Sequence, residues 1–285
     1  MGHLQGGPAV RASVHRHRRN TEGDGEVPPA ARRARHGALT PLIVFVHGVP
    51  ETAELWDKVR SSLGLGSVAL SLPGFGCPRP TGFGATMDDY VDWLLGELDV
   101  IDGPVDLVGH DWGAGLTYRV ATAYGDRVHS WVADVANLMH PDYKWHDFAQ
   151  IWQTHGEGEA FFEAQSAAPL DARVGFFESA GIEHDDALAL ASASNETMAG
   201  CILDLYRSAT PNPYAHWKER WGPTSAPGLV LFPSQDPFGD ETLSREVADM
   251  LGARHEVLEG LGHWWALEAP TRAAAVLSAF LGSIE

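Results

Sequence analysis

The segment 107–115, LVGHDWGAG, places a single aspartate at the centre of a sharp turn. An apolar run leads into the turn, and the small residues Gly109 and Gly113 lie two positions before and two positions after Asp111. This is the outline of a nucleophile elbow, in which a strand turns abruptly into a helix and exposes the central side chain. Serine is usual at the centre of that motif, whereas here the side chain is a carboxylate. The segment therefore predicts a strand, a tight turn and a helix, with a reactive carboxylate at the tip.

Strands and helices alternate on both sides of this turn. The predicted strands are apolar runs with β-branched residues, which is typical of parallel strands buried on both faces. The predicted helices carry apolar residues at helical spacing, and one begins with the capping pattern Thr86-x-x-Asp89. The fold class is therefore α/β, with a mostly parallel central sheet flanked by helices. The predicted strands are 41–48, 67–74, 104–110, 128–136, 227–233 and 254–260, and the predicted helices are 54–63, 86–98, 113–124, 242–251 and one from 271.

The alternation stops between residues 138 and 222, where the chain has helical periods, several tryptophans and no strong strand pattern. We interpret 138–222 as a helical lid inserted into a core made of 39–137 and 223–285. Residues 1–38 form a third segment, which is basic and poor in large apolar residues. Because such a composition buries little apolar surface, we expect this head to be poorly ordered.

Composition restricts the classes of function. The 285 residues carry a formal net charge of −18, which argues against nucleic acid or an anionic membrane as a partner. The two cysteines, Cys77 and Cys201, fit no zinc spacing, and we expect no metal ion and no cofactor. No apolar run approaches the roughly 20 residues of a membrane span, and the N-terminus lacks the pattern of a signal peptide. We expect a cytoplasmic enzyme; the oligomeric state stays open.

Three polar residues follow strands in an informative order: Asp111, then Asp236 in LFPSQDPF, then His263 in GLGHWW. Nucleophile, acid and histidine occur in this order in the triad of α/β-hydrolases. With HGVP (47–50), GHDWG (109–113) and GHW (262–264), the chain from Leu42 onward resembles α/β-hydrolases with an aspartate nucleophile. The motifs are most similar to those of epoxide hydrolases, and next to those of haloalkane and haloacid dehalogenases.

A carboxylate nucleophile indicates a substrate with a reactive saturated carbon. Attack of a carboxylate on an ester would give an anhydride, which is uphill, whereas displacement at an epoxide or alkyl halide carbon gives an alkyl ester. The resemblance implies that Asp111 attacks and that His263 then activates the water that hydrolyses the ester. It also implies that the backbone N–H groups of Val49 and Trp112 form the oxyanion hole.

Two aspartates compete for the role of the acid that orients His263. Asp236 follows the strand 227–233, where most family members carry the acid, and lies 27 residues before His263. Asp134 follows the strand 128–136, where some dehalogenases carry it. We predict Asp236, and we interpret Asp134 as a structural residue at the end of its strand.

The leaving group decides between the two enzyme classes. Epoxide hydrolases protonate the epoxide oxygen with two lid tyrosines, and Tyr206 in LDLYRSA resembles one of them. The position that matches the other tyrosine is Phe148, which has no hydroxyl. The proton-donating role of the missing tyrosine could fall to Tyr143, His146 or His155.

A dehalogenase would instead hold a halide with indole N–H groups, for which Trp112 and Trp152 are the candidates. Position 49 is valine, where one dehalogenase branch has a halide-binding asparagine. The arginines with which fluoroacetate enzymes hold a carboxylate are absent, since those positions are Trp112 and Gly115.

The aromatic residues around these motifs predict a small, neutral and largely apolar substrate. A ligand-binding protein without catalysis is a third hypothesis. The predicted substrate-binding residues are Phe75, Trp112, Phe148, His146, Trp152 and Trp264.

Overall fold

The computed structural model describes residues 40–284, and a sheet of six strands lies at the centre of that part of the chain. Every neighbouring pair of strands is parallel. The strands are β1 (Leu42–Val46), β2 (Ser67–Leu70), β3 (Val105–Gly109), β4 (Ser130–Ala133), β5 (Gly228–Pro233) and β6 (Arg254–Leu258). Their order across the sheet is β2-β1-β3-β4-β5-β6. The predicted α/β architecture is therefore confirmed, with strand ends that lie up to four residues inside the predicted ones.

Helices cover both faces of the sheet. The first of them, α1, continues a 3-10 turn at Ala53–Trp56, so the predicted helix 54–63 exists in two parts. The capping box of Thr86 and Asp89 starts α2 as predicted. The helices outside the segment between β4 and β5 are α1 (Asp57–Leu63), α2 (Met87–Asp99), α3 (Trp112–Ala123), α10 (Glu241–Leu251), α11 (Trp265–Glu268) and α12 (Pro270–Leu281).

Between β4 and β5 the chain forms six helices and, within the described residues, no strand. We refer to α4–α9 as the helical insertion. This segment coincides with the region 138–222, whose composition set it apart in the sequence. Its helices are α4 (Asp147–Gln153), α5 (Glu157–Ala167), α6 (Leu170–Ser179), α7 (His184–Ala193), α8 (Glu196–Ser208) and α9 (Pro213–Trp217).

The sheet separates two apolar clusters because alternate residues of a strand point to opposite faces. In β1, Val44 and Val46 belong to one cluster, whereas Ile43 and Phe45 belong to the other. Residues of the helical insertion contribute to both clusters. The helical insertion therefore packs against the core and shares both of its apolar clusters.

The strand order places a crevice above the carboxyl ends of β1 and β3. After β1 the chain goes to β2 on one side, and it then crosses to β3 on the other side of β1. Loops that leave neighbouring strands in opposite directions open a crevice, which is where ligands bind in open α/β sheets. The HGVP turn follows β1 and Asp111 follows β3, so the topology alone brings them together.

None of the helices found in residues 40–284 combines the length and the apolar character needed to cross a membrane. The basic head, residues 1–38, lies outside the described residues, and our expectation for it stays a prediction.

Candidate active site

Asp111 occupies the tip of the elbow in a backbone conformation that L-residues rarely adopt. Its φ is 51° and its ψ is −119°, and α3 begins at the next residue. A Cβ at Gly109 would lie 2.2 Å from the carbonyl oxygen of Gly113, and a Cβ at Gly113 would lie 2.2 Å from that of Val46. Only glycine fits at both flanking positions, which explains the spacing in the sequence. Such strain at a non-glycine residue is characteristic of functional sites.

The carboxylate of Asp111 is held by backbone donors. Oδ1 accepts a hydrogen bond from the N–H of Val49 at 2.8 Å, so the HGVP turn reaches the elbow across the crevice. Burial raises the pKa of Asp111 to about 6, although the charge of His263 and the backbone N–H of Trp112 act in the opposite direction. The side chain remains 17% exposed. It is therefore ionised at neutral pH and open on one side.

His263 stands opposite Asp111 with one ring nitrogen engaged. Nδ1 is bound to Oδ2 of Asp236 at 2.9 Å, while Nε2 lies 3.9 Å from Oδ2 of Asp111, beyond hydrogen-bond distance. Burial alone would lower the pKa of His263, but the carboxylate of Asp236 raises it above its usual value. Asp236 is oriented in turn by the N–H of Phe238, which donates to Oδ1 at 2.8 Å. Because Nδ1 donates to Asp236, the neutral ring presents a free lone pair on Nε2.

Asp134, the competing acid, is engaged elsewhere. Its Oδ1 accepts a hydrogen bond from the backbone N–H of Asp111 at 2.9 Å, and Oδ2 accepts one from the indole of Trp265 at 2.6 Å. Oδ2 also lies 2.5 Å from Nδ1 of His110. The structure thus places Asp236, and not Asp134, against His263, and it places Asp134 beneath the elbow.

Two residues of the site escaped the sequence analysis, namely Glu51 and His110. The Nε2 of His110 binds Oε1 of Glu51 at 3.1 Å, and the same oxygen accepts a hydrogen bond from the indole of Trp264 at 2.7 Å. Burial would lower the pKa of His110, but Asp134 and Glu51 raise it well above its usual value. Burial would raise the pKa of Glu51, yet His110 lowers it to about 2. Each directly adjoins a motif, Glu51 after HGVP and His110 before Asp111, and that adjacency was the available signal.

Glu51, His110 and His263 are residue types that can bind a metal ion. Their donor atoms lie within 4.8 Å of one another. Both ring nitrogens of His110 already contact carboxylates, and Nδ1 of His263 contacts Asp236. A metal ion would have to break these contacts and would meet a histidine that is held in its protonated form. The arrangement therefore fits a hydrogen-bonded network better than a metal centre.

A cavity of about 1030 Å³ opens over Asp111 and His263. Four predicted substrate-binding residues line it, namely His146, Phe148, Trp152 and Trp264. The sequence analysis did not predict much of the remaining wall, most of which comes from the helical insertion. The further apolar lining residues in the insertion are Phe161, Phe162, Phe176, Phe177, Met198, Ile202 and Leu203, and Phe238 lines the cavity from the loop after β5.

Two predicted lining residues do not face this cavity. Phe75 is fully buried, with its ring centroid 5.9 Å from that of His47 and 6.2 Å from that of Tyr90. Trp112 is stacked on Trp145 at 5.9 Å and is also buried. Both rings pack in the apolar cluster beside the crevice and are not among the residues that line the cavity.

Tyr206 lines the cavity from α8 and has its ring centroid 5.5 Å from that of Trp112. Burial, and next the negative charge of Asp111, raise the pKa of Tyr206 well above its usual value. The phenol is therefore protonated at neutral pH, and it lines the same cavity as the carboxylate of Asp111.

The candidate partners of Tyr206 differ in placement. His146 lines the cavity and caps α4, with Nδ1 accepting a hydrogen bond from the N–H of Ala149 at 3.2 Å. Burial lowers the pKa of His146 to about 4, and the charge of His263 adds to that effect. Tyr143 lies behind the cavity wall against Trp145, with ring centroids 5.2 Å apart. His155 is exposed and does not line the cavity.

The comparisons with known proteins decide the family. Residues 43–276 match the model of the alpha/beta hydrolase family. The chain belongs to this family.

Proteins that are similar to this chain carry the names of different enzymes. The chain is 25% identical over 252 residues to (E)-2-((N-methylformamido)methylene)succinate hydrolase of Acinetobacter baylyi, covering 84% of this chain and 89% of that protein. It is 26% identical to epoxide hydrolase 3 of Xenopus tropicalis, covering 85% and 71%. It is 24% identical to a haloalkane dehalogenase of Mesorhizobium japonicum, covering 62% and 55%.

Solved structures agree with the fold of this hydrolase. Epoxide hydrolase A of Mycobacterium thermoresistibile superposes with a TM-score of 0.70 at 21% identity, covering 86% of this chain and 92% of that one. An identity this low speaks for the fold alone. The similar proteins include both epoxide hydrolases and a haloalkane dehalogenase, so the comparisons do not distinguish these two activities.

Proposed function

We propose that this hydrolase opens a neutral, largely apolar epoxide to a diol through a covalent alkyl ester on Asp111. The observation that carries the proposal is that Tyr206, whose phenol keeps its proton at neutral pH, lines the same cavity as the carboxylate of Asp111. An epoxide oxygen leaves as an alkoxide and needs a proton, and a nucleophile without a nearby acid would not open the ring efficiently.

In the first step, Oδ2 of Asp111 attacks an epoxide carbon while Tyr206 donates its proton to the ring oxygen. The N–H of Val49 occupies Oδ1, which leaves Oδ2, the oxygen that faces His263, as the attacking atom. The C–O bond of the epoxide breaks, and an ester between Asp111 and the alkyl group forms. The apolar wall of the cavity limits the access of water to the carboxylate of Asp111 during the attack.

His146 is the second donor in our proposal. Because Nδ1 accepts the N–H of Ala149, the neutral ring must carry its proton on Nε2. Its low pKa keeps the ring neutral at physiological pH, so that Nε2–H donates to the epoxide oxygen without adding a charge. The ring centroids of His146 and Tyr206 lie 6.4 Å apart, and both side chains line the cavity.

In the second step, His263 takes a proton from water, and the hydroxide attacks Cγ of Asp111. The negative charge develops on Oδ1, where the N–H of Val49 already lies at 2.8 Å. The N–H of Trp112 is the second donor of this oxyanion hole, and the loss of one such donor typically costs about 3 kcal/mol. The tetrahedral intermediate expels the diol, which receives its proton from His263, and the second proton of the water returns to the phenolate of Tyr206. The oxygen of the attacking water remains in the carboxylate of Asp111.

A haloalkane dehalogenase is the alternative, and one observation favours it. The indole nitrogens of Trp112 and Trp152 are buried and have no hydrogen-bond partner among the described residues. Two such N–H groups on either side of Tyr206 could stabilise a departing halide. The nucleophile and the hydrolytic step would be the same, so only the leaving group distinguishes the two hypotheses.

Trapping of the ester separates the hypotheses. We would incubate His263→Gln with styrene oxide or with a 1-bromoalkane and weigh the intact protein, with the double variant Asp111→Asn/His263→Gln as control. An adduct from the epoxide that is absent from the double variant supports the proposal. An adduct from the bromoalkane alone, with release of bromide, would favour the dehalogenase. No adduct across a broad panel would favour a binding protein.

A further inference from the structure

The cavity is elongated along α8, and one side of that helix lines it throughout. Tyr206 marks the inner end, beside Asp111, and Glu196 at the first turn of α8 marks the outer end. Ten residues at about 1.5 Å rise give a length of about 15 Å. Tyr206, Ile202 and Met198 are buried, whereas Glu196 is exposed, so the lining along α8 runs from a buried inner end to an exposed outer end. We refer to the space along α8 as the channel and to its exposed end as the mouth.

Aromatic rings form a continuous wall along this channel. It begins at Trp264, next to the histidine, and continues through Phe177 and Phe176 of α6, with ring centroids 5.5 Å and 5.3 Å apart. Phe176 meets Phe148 at 6.4 Å, and Phe148 meets Phe161 of α5 at 6.0 Å. Phe176 and Phe148 are 47% and 36% exposed, so the wall reaches the solvent. A wall of this length offers apolar contact well beyond the reach of a small epoxide.

The outer end of the channel is polar and predominantly acidic. Glu163 and Glu196 lie there and are exposed, while Glu159 is paired with Arg207 at 2.9 Å. The lining also includes Arg173, whose Nη1 donates to the carbonyl oxygen of Ala191 at 2.9 Å and whose buried Nε has no hydrogen-bond partner among the described residues. Because glutamates outnumber this cation on the lining, a ligand that ends in a carboxylate would meet more negative than positive charge at the mouth.

We infer that the substrate is a long, uncharged aliphatic epoxide whose chain lies in the channel between α5, α6 and α8. This inference rests on the proposed function, because it fixes the epoxide at Asp111 and lets the remainder of the molecule extend to the mouth. Each buried methylene contributes about 0.8 kcal/mol, equivalent to about a fourfold gain in affinity. Affinity therefore rises with chain length until the chain spans about 15 Å, and then levels off.

Two substitutions shorten the channel. Ala199 lies seven residues before Tyr206, about 10 Å along the axis of α8, and lines the cavity. In Ala199→Phe, affinity should stop rising at a chain length of about 10 Å instead of about 15 Å. The ratio of kcat/KM for epoxydodecane to kcat/KM for propylene oxide should fall at least tenfold. Gly200→Leu is a second blocking variant, because a Cβ there meets no atom within 4 Å and the fold tolerates it. Ala160→Phe is the matched control on exposed surface outside the lining, and it should leave that ratio unchanged.

Binding of unreactive alcohols tests the channel apart from catalysis. We would titrate the wild-type protein and the three variants by calorimetry with a series of linear alcohols, from butanol to tetradecanol. A stepwise gain that ends earlier in both blocking variants supports the channel, and it does so even if no epoxide is hydrolysed. In that case the proposed function fails and the channel stands. Affinities that are independent of chain length, or identical in blocked and control variants, would overturn the inference.

The acidic mouth has a test of its own. A long epoxide that ends in a carboxylate should show a lower kcat/KM than an uncharged epoxide of equal length, and added salt should narrow the gap by screening. A carboxylate that improves kcat/KM would overturn the assignment of an uncharged chain end.

Discussion

Two histidines lie side by side in this hydrolase, with ring centroids 4.7 Å apart, yet their surroundings differ. His263 has one carboxylate partner and a free Nε2 that faces Asp111 and the cavity. His110 has a carboxylate on each nitrogen and is closed off from the cavity. Burial opposes the protonation of both, and carboxylates overcome it in both.

The difference shows how similar residues acquire separate tasks. A histidine with a free nitrogen can exchange a proton with water, whereas one with both nitrogens bound can only hold its neighbours in place. Through Asp134, His110 is connected to the backbone N–H of Asp111, and through Glu51 it is connected to Trp264. We interpret the network of Glu51, His110 and Asp134 as the support of the elbow, and the pair of His263 and Asp236 as the reactive part.

The largest effect should come from removing the free nitrogen. His263→Gln is expected to lower the steady-state turnover of a reactive epoxide by about 10⁴- to 10⁶-fold, because no other group can activate water at Cγ of Asp111. The thermal midpoint should change little. Turnover and differential scanning calorimetry would check both statements. A variant that retained a tenth of the wild-type turnover would contradict the role of His263.

The two acids should separate activity from stability. Asp236→Asn should reduce turnover by about 10³- to 10⁴-fold, because the amide no longer stabilises protonated His263. Asp134→Asn should instead lower the free energy of unfolding by about 3 kcal/mol, since it leaves a buried His110 cation with a single carboxylate. Urea unfolding and kcat on one epoxide measure the contrast. Equal losses of activity in both variants would mean that the two pairs are not distinct.

Asp111 should be a source of instability that depends on pH. Its pKa rises from 3.8 to about 6 on folding, so the native state binds more protons than the unfolded state between these values. Stability should therefore fall as the pH rises through this window. Asp111→Asn removes the effect. The free energy of unfolding of this variant should equal that of the wild type below pH 4 and exceed it by about 1–3 kcal/mol above pH 6.

Urea unfolding at four pH values from 4 to 7 measures this gain. In His263→Gln the free energy of unfolding should decrease more steeply with rising pH, because the positive charge that lowers the pKa of Asp111 is lost. An advantage of the same size at every pH would argue against a raised pKa.

The smallest effect concerns one indole. Trp264→Phe keeps an aromatic ring but removes the hydrogen bond to Glu51, and it should cost about 1–2 kcal/mol of stability. Trp217→Phe is the matched control, because that indole donates to the exposed carboxylate of Asp88, which water can solvate instead. Thermal unfolding of both variants gives the difference. A control that lost as much as Trp264→Phe would remove the special role of the buried network.

Much of the fold was predictable because it depends on local patterns. The sequence analysis predicted all six strands, most of them from apolar runs, and the capping box marked the start of α2. The family followed from short motifs at turns whose geometry tolerates few residues, such as Gly109 and Gly113 around the elbow. The sequence also singled out Asp111, Asp236 and His263, which the structure brings together, because each follows the carboxyl end of a strand.

Other features depended on contacts between distant segments. Asp134 and Asp236 both follow strands that end at the same edge of the sheet, and sequence position alone did not determine which one meets His263. Glu51 and His110 lie 59 positions apart and become partners only when β1 and β3 pair. Phe75 and Trp112 showed the reverse, since residues close to a motif in sequence point away from the cavity.

The sequence by itself determined the α/β architecture, the elbow and the three residues Asp111, Asp236 and His263. It could do so because strand periodicity and glycine sterics act over a few residues. Only the tertiary structure decided which carboxylate belongs to which histidine and how far the cavity extends along α8. Those properties arise where side chains from separate elements meet, and their energies depend on burial and distance, which no local pattern records.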